Sequence, residues 1–369
     1  MIFLMFLKNI LFINLKENFM KRNNYSLLES GILLFGILFV LLFREFLHTY
    51  KIQLLKSIPY YPYQDQIIYY ITGDKSFDIQ SPMNLRFLGL LIQFIIFKFV
   101  PCLEFSKSIN IHQLPYPQYV CATYSNALMN YISLCGILTL SFLYSYKKLN
   151  LKLAESYLCV FFSYIFIKYI EFATLDRISV FYLLIVLYFL DNKKISIALI
   201  ILASLVNEKI VYLLIIYFFI KFFFIKNLLY KHYFFFSIIS GLTVVAIYFF
   251  FTKFLNFQPY PYDVPTNTEN IFFFRPISRI FNMFFSMSGL TNGLFPLLMC
   301  LLPYFLPKKK ISNNIVYTKF EMLVPLSLVF FATGGGTEQI GRYVMHSFPI
   351  WVPILSCYIN SLLSEKNNC

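Results

Sequence analysis

Charge is scarce in this chain. Asp, Glu, Lys and Arg together make up 13% of its 369 residues, against about 25% in soluble domains. That shortage excludes an ordinary water-soluble domain, which needs charge to solvate its surface. Acid is scarcer than base, 17 residues against 31. There are four histidines, His48, His112, His232 and His346, and they are dispersed; no Ser-His-Asp order can be argued from them. None of the seven cysteines shows a metal-ligand spacing such as C-x-x-C. A Walker motif and a Gly-rich nucleotide loop are both missing, so chemistry that draws directly on cytosolic nucleotides is excluded. The first 20 residues lack the small-residue cleavage site of a signal peptide. They read as an interfacial helix, or as the product of a start that belongs at Met20.

Apolar residues fill the space left by charge. They make up 59% of the chain, aromatics alone 21%, and the mean hydropathy is +0.67. With 46 Phe and 29 Tyr, a single aromatic carries little functional information. A bilayer core needs about 20 apolar residues per helix. Runs that approach this length lie at 27–47, 119–145, 153–170, 178–191, 195–207, 210–225, 232–252, 284–306, 319–334 and 344–363. The pattern predicts an all-α, polytopic membrane protein of about ten transmembrane helices. Residues 1–25 form a cytoplasmic segment, and 26–369 a single transmembrane domain with outer loops at about 48–118 and 253–283. The stretch 87–100 is too short to span and reads as an interfacial or re-entrant helix.

Basic residues orient this layout. With both termini cytoplasmic, Lys21, Arg22, Lys147, Lys148, Lys193, Lys194, Lys221, Lys226, Lys231 and Lys308 to Lys310 all fall in short inner segments. The net charge of +14 is then mainly a topology signal. Nucleic acid is excluded as a partner, because the lysines are divided among separate loops. Cys102 and Cys121 both fall on the outer side, where they could meet as a disulfide.

The outer segments are rich in Pro and Tyr, as in PYYPYQD, QLPYPQY and QPYPYD. Such clusters suit an interface belt or a platform for a sugar ring or headgroup. Outer-side charges recur near span ends: Asp65, Arg86, Asp176 with Arg177, Glu208 with Lys209, Arg275, Arg279, Glu338 and Arg342. A charge at membrane depth costs at least ~2.5 kcal/mol, so it lines a cavity, pairs, or reaches the interface. Glu208, in LVNEKIVYLL, is either a solvated hairpin tip or a ligand-facing acid. Arg275 and Arg279 are four apart, so on a helix they would share one face; there they suit an anion such as phosphate, or pair with Asp263 or Glu269.

In order, YQDQIIYY, NLRFLGLLI, TLDRISVFYLL, LVNEKIVYLL and GGGTEQIGRYVMHSFPIWVPIL make the chain resemble the GT-C superfamily of integral-membrane glycosyltransferases that use polyprenyl-phosphate sugars. It departs from that family in lacking an Asp-x-Asp and a large outer domain. The resemblance implies a transferase of the bacterial plasma membrane. Its donor would be a polyprenyl-phosphate-linked sugar, and its acceptor a glycan or lipid on the outer face. Asp65 would act as general base. Arg86, Lys209, Arg275, Arg279 and Arg342 would hold the donor phosphate. Asp176, Glu208 and Glu338 would form a polar site able to take a divalent metal. A transporter or flippase, or a glycan polymerase, fits the same layout.

Overall fold

The computed structural model describes residues 27–55, 87–99, 117–169, 176–225, 228–254, 285–305, 319–332, 341 and 343–366. Every described element is helical. In chain order they are α1 (Leu27–Leu41), α2 (Phe43–Leu55), α3 (Phe87–Phe99), α4 (Pro117–Leu143), α5 (Leu153–Phe166), α6 (Asp176–Tyr188), α7 (Lys193–Leu202), α8 (Glu208–Ile225), α9 (Leu228–Phe254), α10 (Phe295–Phe305), α11 (Leu323–Ala332) and α12 (Phe348–Lys366). Over their described residues, the apolar runs read from the sequence, including 87–100, fall in helices.

Two of these helices are long and apolar enough to cross a bilayer, over Val120–Lys148 and Leu228–Ile247. The others are shorter. At 1.5 Å per residue, the 13 residues of α6 rise about 20 Å, less than the ~30 Å of a hydrocarbon core.

Asparagine organises three of the connections. Asn150 takes up a left-handed conformation (φ 51°) between α4 and α5, which Asn tolerates because its side chain bonds locally. Asn192 caps α7, its Oδ1 accepting from Ile195 N at 3.3 Å. Asn207 stands just before α8, and its carbonyl accepts from Ile210 N at 3.1 Å. Asn, Ser and Asp satisfy the orphan amides at a helix start, as Asn192 and Asn207 do here, whereas Lys152 stands at the start of α5.

Helix α4 is the hub. It packs against α1, α2, α3, α5 and α6. On one side Phe46, Tyr50, Tyr124 and Tyr131 make an aromatic group, with Tyr50 edge-on to Tyr124 at 5.3 Å. On the α6 side, Gly136 lies so close to Phe181 that any Cβ there would collide with the ring. Helix α12 packs on α5 and α10, and its fully buried Trp351 meets Phe166 at 4.8 Å. Helix α8 joins α6, α9 and α11, and α7 lies against α9.

Polarity is arranged with polar groups inside. Thr123, Ser125, Asn126, Asn130 and Ser133 of α4 are buried. In α9, by contrast, Phe235, Ile238, Leu242, Val245 and Phe249 are exposed at alternating three- and four-residue spacing, which makes one continuous stripe. Only 17% of the apolar window of α9 is buried, against 78% for α4. Leu91, Ile95 and Phe99 of α3, and Leu298, Leu302 and Phe305 of α10, make similar exposed stripes.

The inner-loop reading of one lysine is corrected. Lys221 lies within α8, almost fully buried, in an ion pair with Glu321. It also sits 5.5 Å from the Tyr217 ring centroid. A local apolar window cannot reveal a partner so far along the chain.

Candidate functional site

Helices α6 and α8 start at the same end of the bundle, and charged residues of their first turns meet there. Asp176 opens α6, where a carboxylate suits the positive end of a helix. Its side chain is fully buried. Lys209, in the first turn of α8, donates to both carboxylate oxygens, at 3.0 Å and 3.2 Å.

Asn207 fastens the two helix starts together. Its amide donates to Ser179 Oγ at 2.8 Å and to Asp176 Oδ1 at 3.4 Å. Its Oδ1 accepts from Lys209 N at 3.0 Å. One asparagine therefore caps α8 and orients the acid of α6.

The third wall comes from the segment leading into α12. The Lys209 ammonium sits 4.1 Å from the centroid of the Tyr343 ring, a cation–π contact. His346 is buried, with Nε2 3.7 Å from Asp176 Oδ1. Its ring centroid is 6.3 Å from that of Tyr343.

A second acid-centred group adjoins the first through Arg177. Arg177 is buried and within electrostatic reach of Glu45 and Tyr164. Glu45 accepts from Tyr164 Oη at 2.8 Å and is ion-paired with Lys168. Two carboxylates, Asp176 and Glu45, therefore face three cations, Lys209, Arg177 and Lys168. Glu208, in the same first turn as Lys209, adds a third acid to this end of the bundle.

The opposite end is built from the lysine connections. Lys148 pairs with Asp191 at 2.7 Å. Glu155 accepts from Lys152 N at 2.9 Å and from Asn360 at 3.3 Å. The two ends thus differ in chemistry: linked acid–base clusters at one, and at the other exposed lysines with the single buried pair Lys221–Glu321 among the described residues.

Of the residues expected at a site, the structure brings Asp176 and Lys209 into direct contact and places half-buried Glu208 beside Lys209 in the chain. Asp65, Arg86, Arg275, Arg279, Glu338 and Arg342 lie outside the described residues. So do Asp263 and Glu269. Among the described residues no three His, Cys, Asp or Glu side chains converge as a metal site, and the Asp176 carboxylate is held by Lys209.

Asn207, Tyr343, His346, Glu45 and Lys168 join the site without having been singled out as site residues. Asn207 and His346 carried a signal, a polar residue in an apolar context. Glu45 and Lys168 sit at span ends, where a charge reads as an ordinary interfacial group.

Cys121, near the start of α4, is disulfide-bonded; Cys102, the partner expected for it, lies outside the described residues. Cys135, Cys159, Cys300 and Cys357 are free and buried. No protein-family model, no curated protein and no solved structure matches the chain.

Proposed function

We propose that the chain is a polytopic membrane glycosyltransferase that moves a sugar from a polyprenyl-phosphate donor to a glycan or lipid acceptor. The proposal has two parts, placement and chemistry.

Placement is supported by the exposed apolar stripes. Leaving the five partly exposed side chains of the α9 stripe in water would cost on the order of 4–8 kcal/mol, at ~1.5–3 kcal/mol for a fully exposed residue. That is comparable to the whole stability of a typical domain. Lipid removes the cost. The two ends support an orientation. Short lysine connections favour the cytoplasm, and a disulfide at Cys121 favours the oxidising side. The acid–base cluster then faces outward, at the end where α4 begins. Ten spans, GT-C-like, remain the layout that the sequence favours.

The chemistry rests on the cluster of Asp176, Asn207, Lys209, Tyr343 and His346, beside Arg177, which gathers two buried cations at one end of the bundle. A leaving polyprenyl phosphate develops negative charge, and pre-placed cations stabilise it without reorganisation. In this reading the Asp176–Asn207 hydrogen bonds hold Lys209 in place. The four arginines and one lysine of the expected donor site, Arg86, Arg275, Arg279, Arg342 and Lys209, grip the phosphate. Asp65 takes the acceptor proton, help that is worth about 10²–10⁴-fold.

The test is mass spectrometry of envelope glycans from a deletion strain complemented with the wild type or with Asp65→Asn. A transferase lacks one sugar in the product and accumulates the lipid-linked donor, while the variant protein persists at its normal level. Unchanged glycans in the deletion strain would sink the reading.

A further inference from the structure

The lysine end of the bundle holds a second feature, remote from the acid–base cluster. A cavity of about 550 Å³ opens there, lined by Lys148, Phe189, Asp191, Asn192, Lys193 and Lys194. We propose that it binds the headgroup phosphate of an anionic phospholipid, whose acyl chain runs along the outside of α7. The proposal rests on the membrane placement above but not on the glycosyltransferase chemistry.

The connection that forms the cavity is held rigidly. Asn192 N donates to Phe189 O at 2.8 Å, and Ser196 Oγ donates to the same carbonyl at 2.6 Å. Tyr233 of α9 donates to Leu190 O at 2.6 Å. With the turn carbonyls occupied, the lysines stand on a fixed frame, so less ordering is needed when a ligand arrives.

Charge is uneven across the cavity. The Lys148 ammonium is matched by Asp191 at 2.7 Å and lies 5.2 Å from the Tyr188 ring centroid. Lys193 and Lys194 are exposed and make no ion pair among the described residues. Two uncompensated cations therefore flank the opening, and basic pockets between helices on the cytoplasmic side suit anionic headgroups.

Apolar surface decides between a lipid and a free anion. Ile195, Ala198 and Leu202 are all exposed on α7. Their spacing of three and four residues puts them in one stripe that starts beside Lys194. Phe189, at the rim, is also exposed. A soluble phosphate ion has no use for that stripe. A phospholipid places its phosphate on the lysines and its chain along the stripe.

The test is native mass spectrometry of the full-length protein in detergent, titrated with phosphatidylglycerol or with phosphatidylcholine of the same chains. Phosphatidylglycerol is retained in preference. Lys193→Gln with Lys194→Gln weakens that retention about thirty-fold, at about five-fold for each lysine near the surface. Asp191→Asn strengthens it, because the opposing charge is gone, and this variant keeps every lysine that sets the topology. Equal retention of the two lipids, or no gain with Asp191→Asn, overturns the lipid site. So does displacement of phosphatidylglycerol by millimolar inorganic phosphate, which would mark a plain anion site. A chain that stays in solution without detergent overturns the membrane placement instead, so the two failures are distinguishable.

Discussion

Lys209 Nζ lies 3.0 Å from Asp176 Oδ1 and 4.1 Å from the centre of the Tyr343 ring, with both charged side chains buried. The pair joins the starts of α6 and α8. Breaking a buried pair from one side leaves an uncompensated charge and costs about 3–5 kcal/mol. Asp176→Asn and Lys209→Met are each expected to lower the thermal midpoint in detergent strongly. Combined, they are expected to cost clearly less than the sum of the two single changes, since residues in one network couple. A double variant that melts near wild type yet restores no glycan modification would separate the structural role of the pair from its proposed role at the donor phosphate. Additive costs would mean that the two groups do not interact.

The pair between Lys221 and Glu321 makes a control at the other end of the molecule. It too is buried, and it joins α8 to the turn before α11. Lys221→Met alone is expected to destabilise by about 3–5 kcal/mol, whereas Lys221→Met with Glu321→Leu should recover most of it. Because this pair is far from the Asp176 cluster, the double variant should complement a deletion strain fully. Loss of complementation in a stable double variant would move functional weight to this end of the bundle.

These two pairs also show what the sequence could and could not disclose. Asp176 and Lys209 stood out because each is charged beside long apolar runs, and because TLDRI and LVNEK open helices. Helix existence was legible for the same reason. The partners were not. Tyr343 and His346 meet Lys209 and Asp176 only because α12 packs back on α5 and α6. Lys221 read as a loop lysine because hydropathy is local, while Glu321 reaches it through tertiary packing. Glu45 was hidden by its position at the end of an apolar run, where a charge needs no explanation.

Gly136 offers a test of packing at the hub. A Cβ at this position would collide with the Phe181 ring, so α4 and α6 can approach this closely only with glycine here. Overpacking a tight contact costs typically 1–3 kcal/mol. Gly136→Ala is expected to lower the thermal midpoint, and Phe181→Leu should rescue it by vacating the space. Failure of the rescue would show that the ring is not the obstacle.

Cys121 and Lys147 test the orientation. Cys121 is disulfide-bonded near the start of α4, and Lys147 is exposed in the π-helical turn that ends the same long helix. A structural disulfide persists on the oxidising side of a membrane and is reduced in the cytosol. The start of α4 should therefore face outward and Lys147 inward. A cysteine at position 147 should react with an impermeant maleimide only after cells are permeabilised. Met287, which is exposed just ahead of α10, should behave in the opposite way: Met287→Cys should react in intact cells. Cys135, Cys159, Cys300 and Cys357 are buried and should contribute little background, with Cys369→Ser removing the terminal thiol. On non-reducing gels, Cys121→Ser should abolish the mobility shift produced by reductant. Labelling of position 147 in intact cells would invert the bundle and put the Asp176 cluster in the cytoplasm. A polyprenyl-phosphate sugar presented on the outer face could not reach it there.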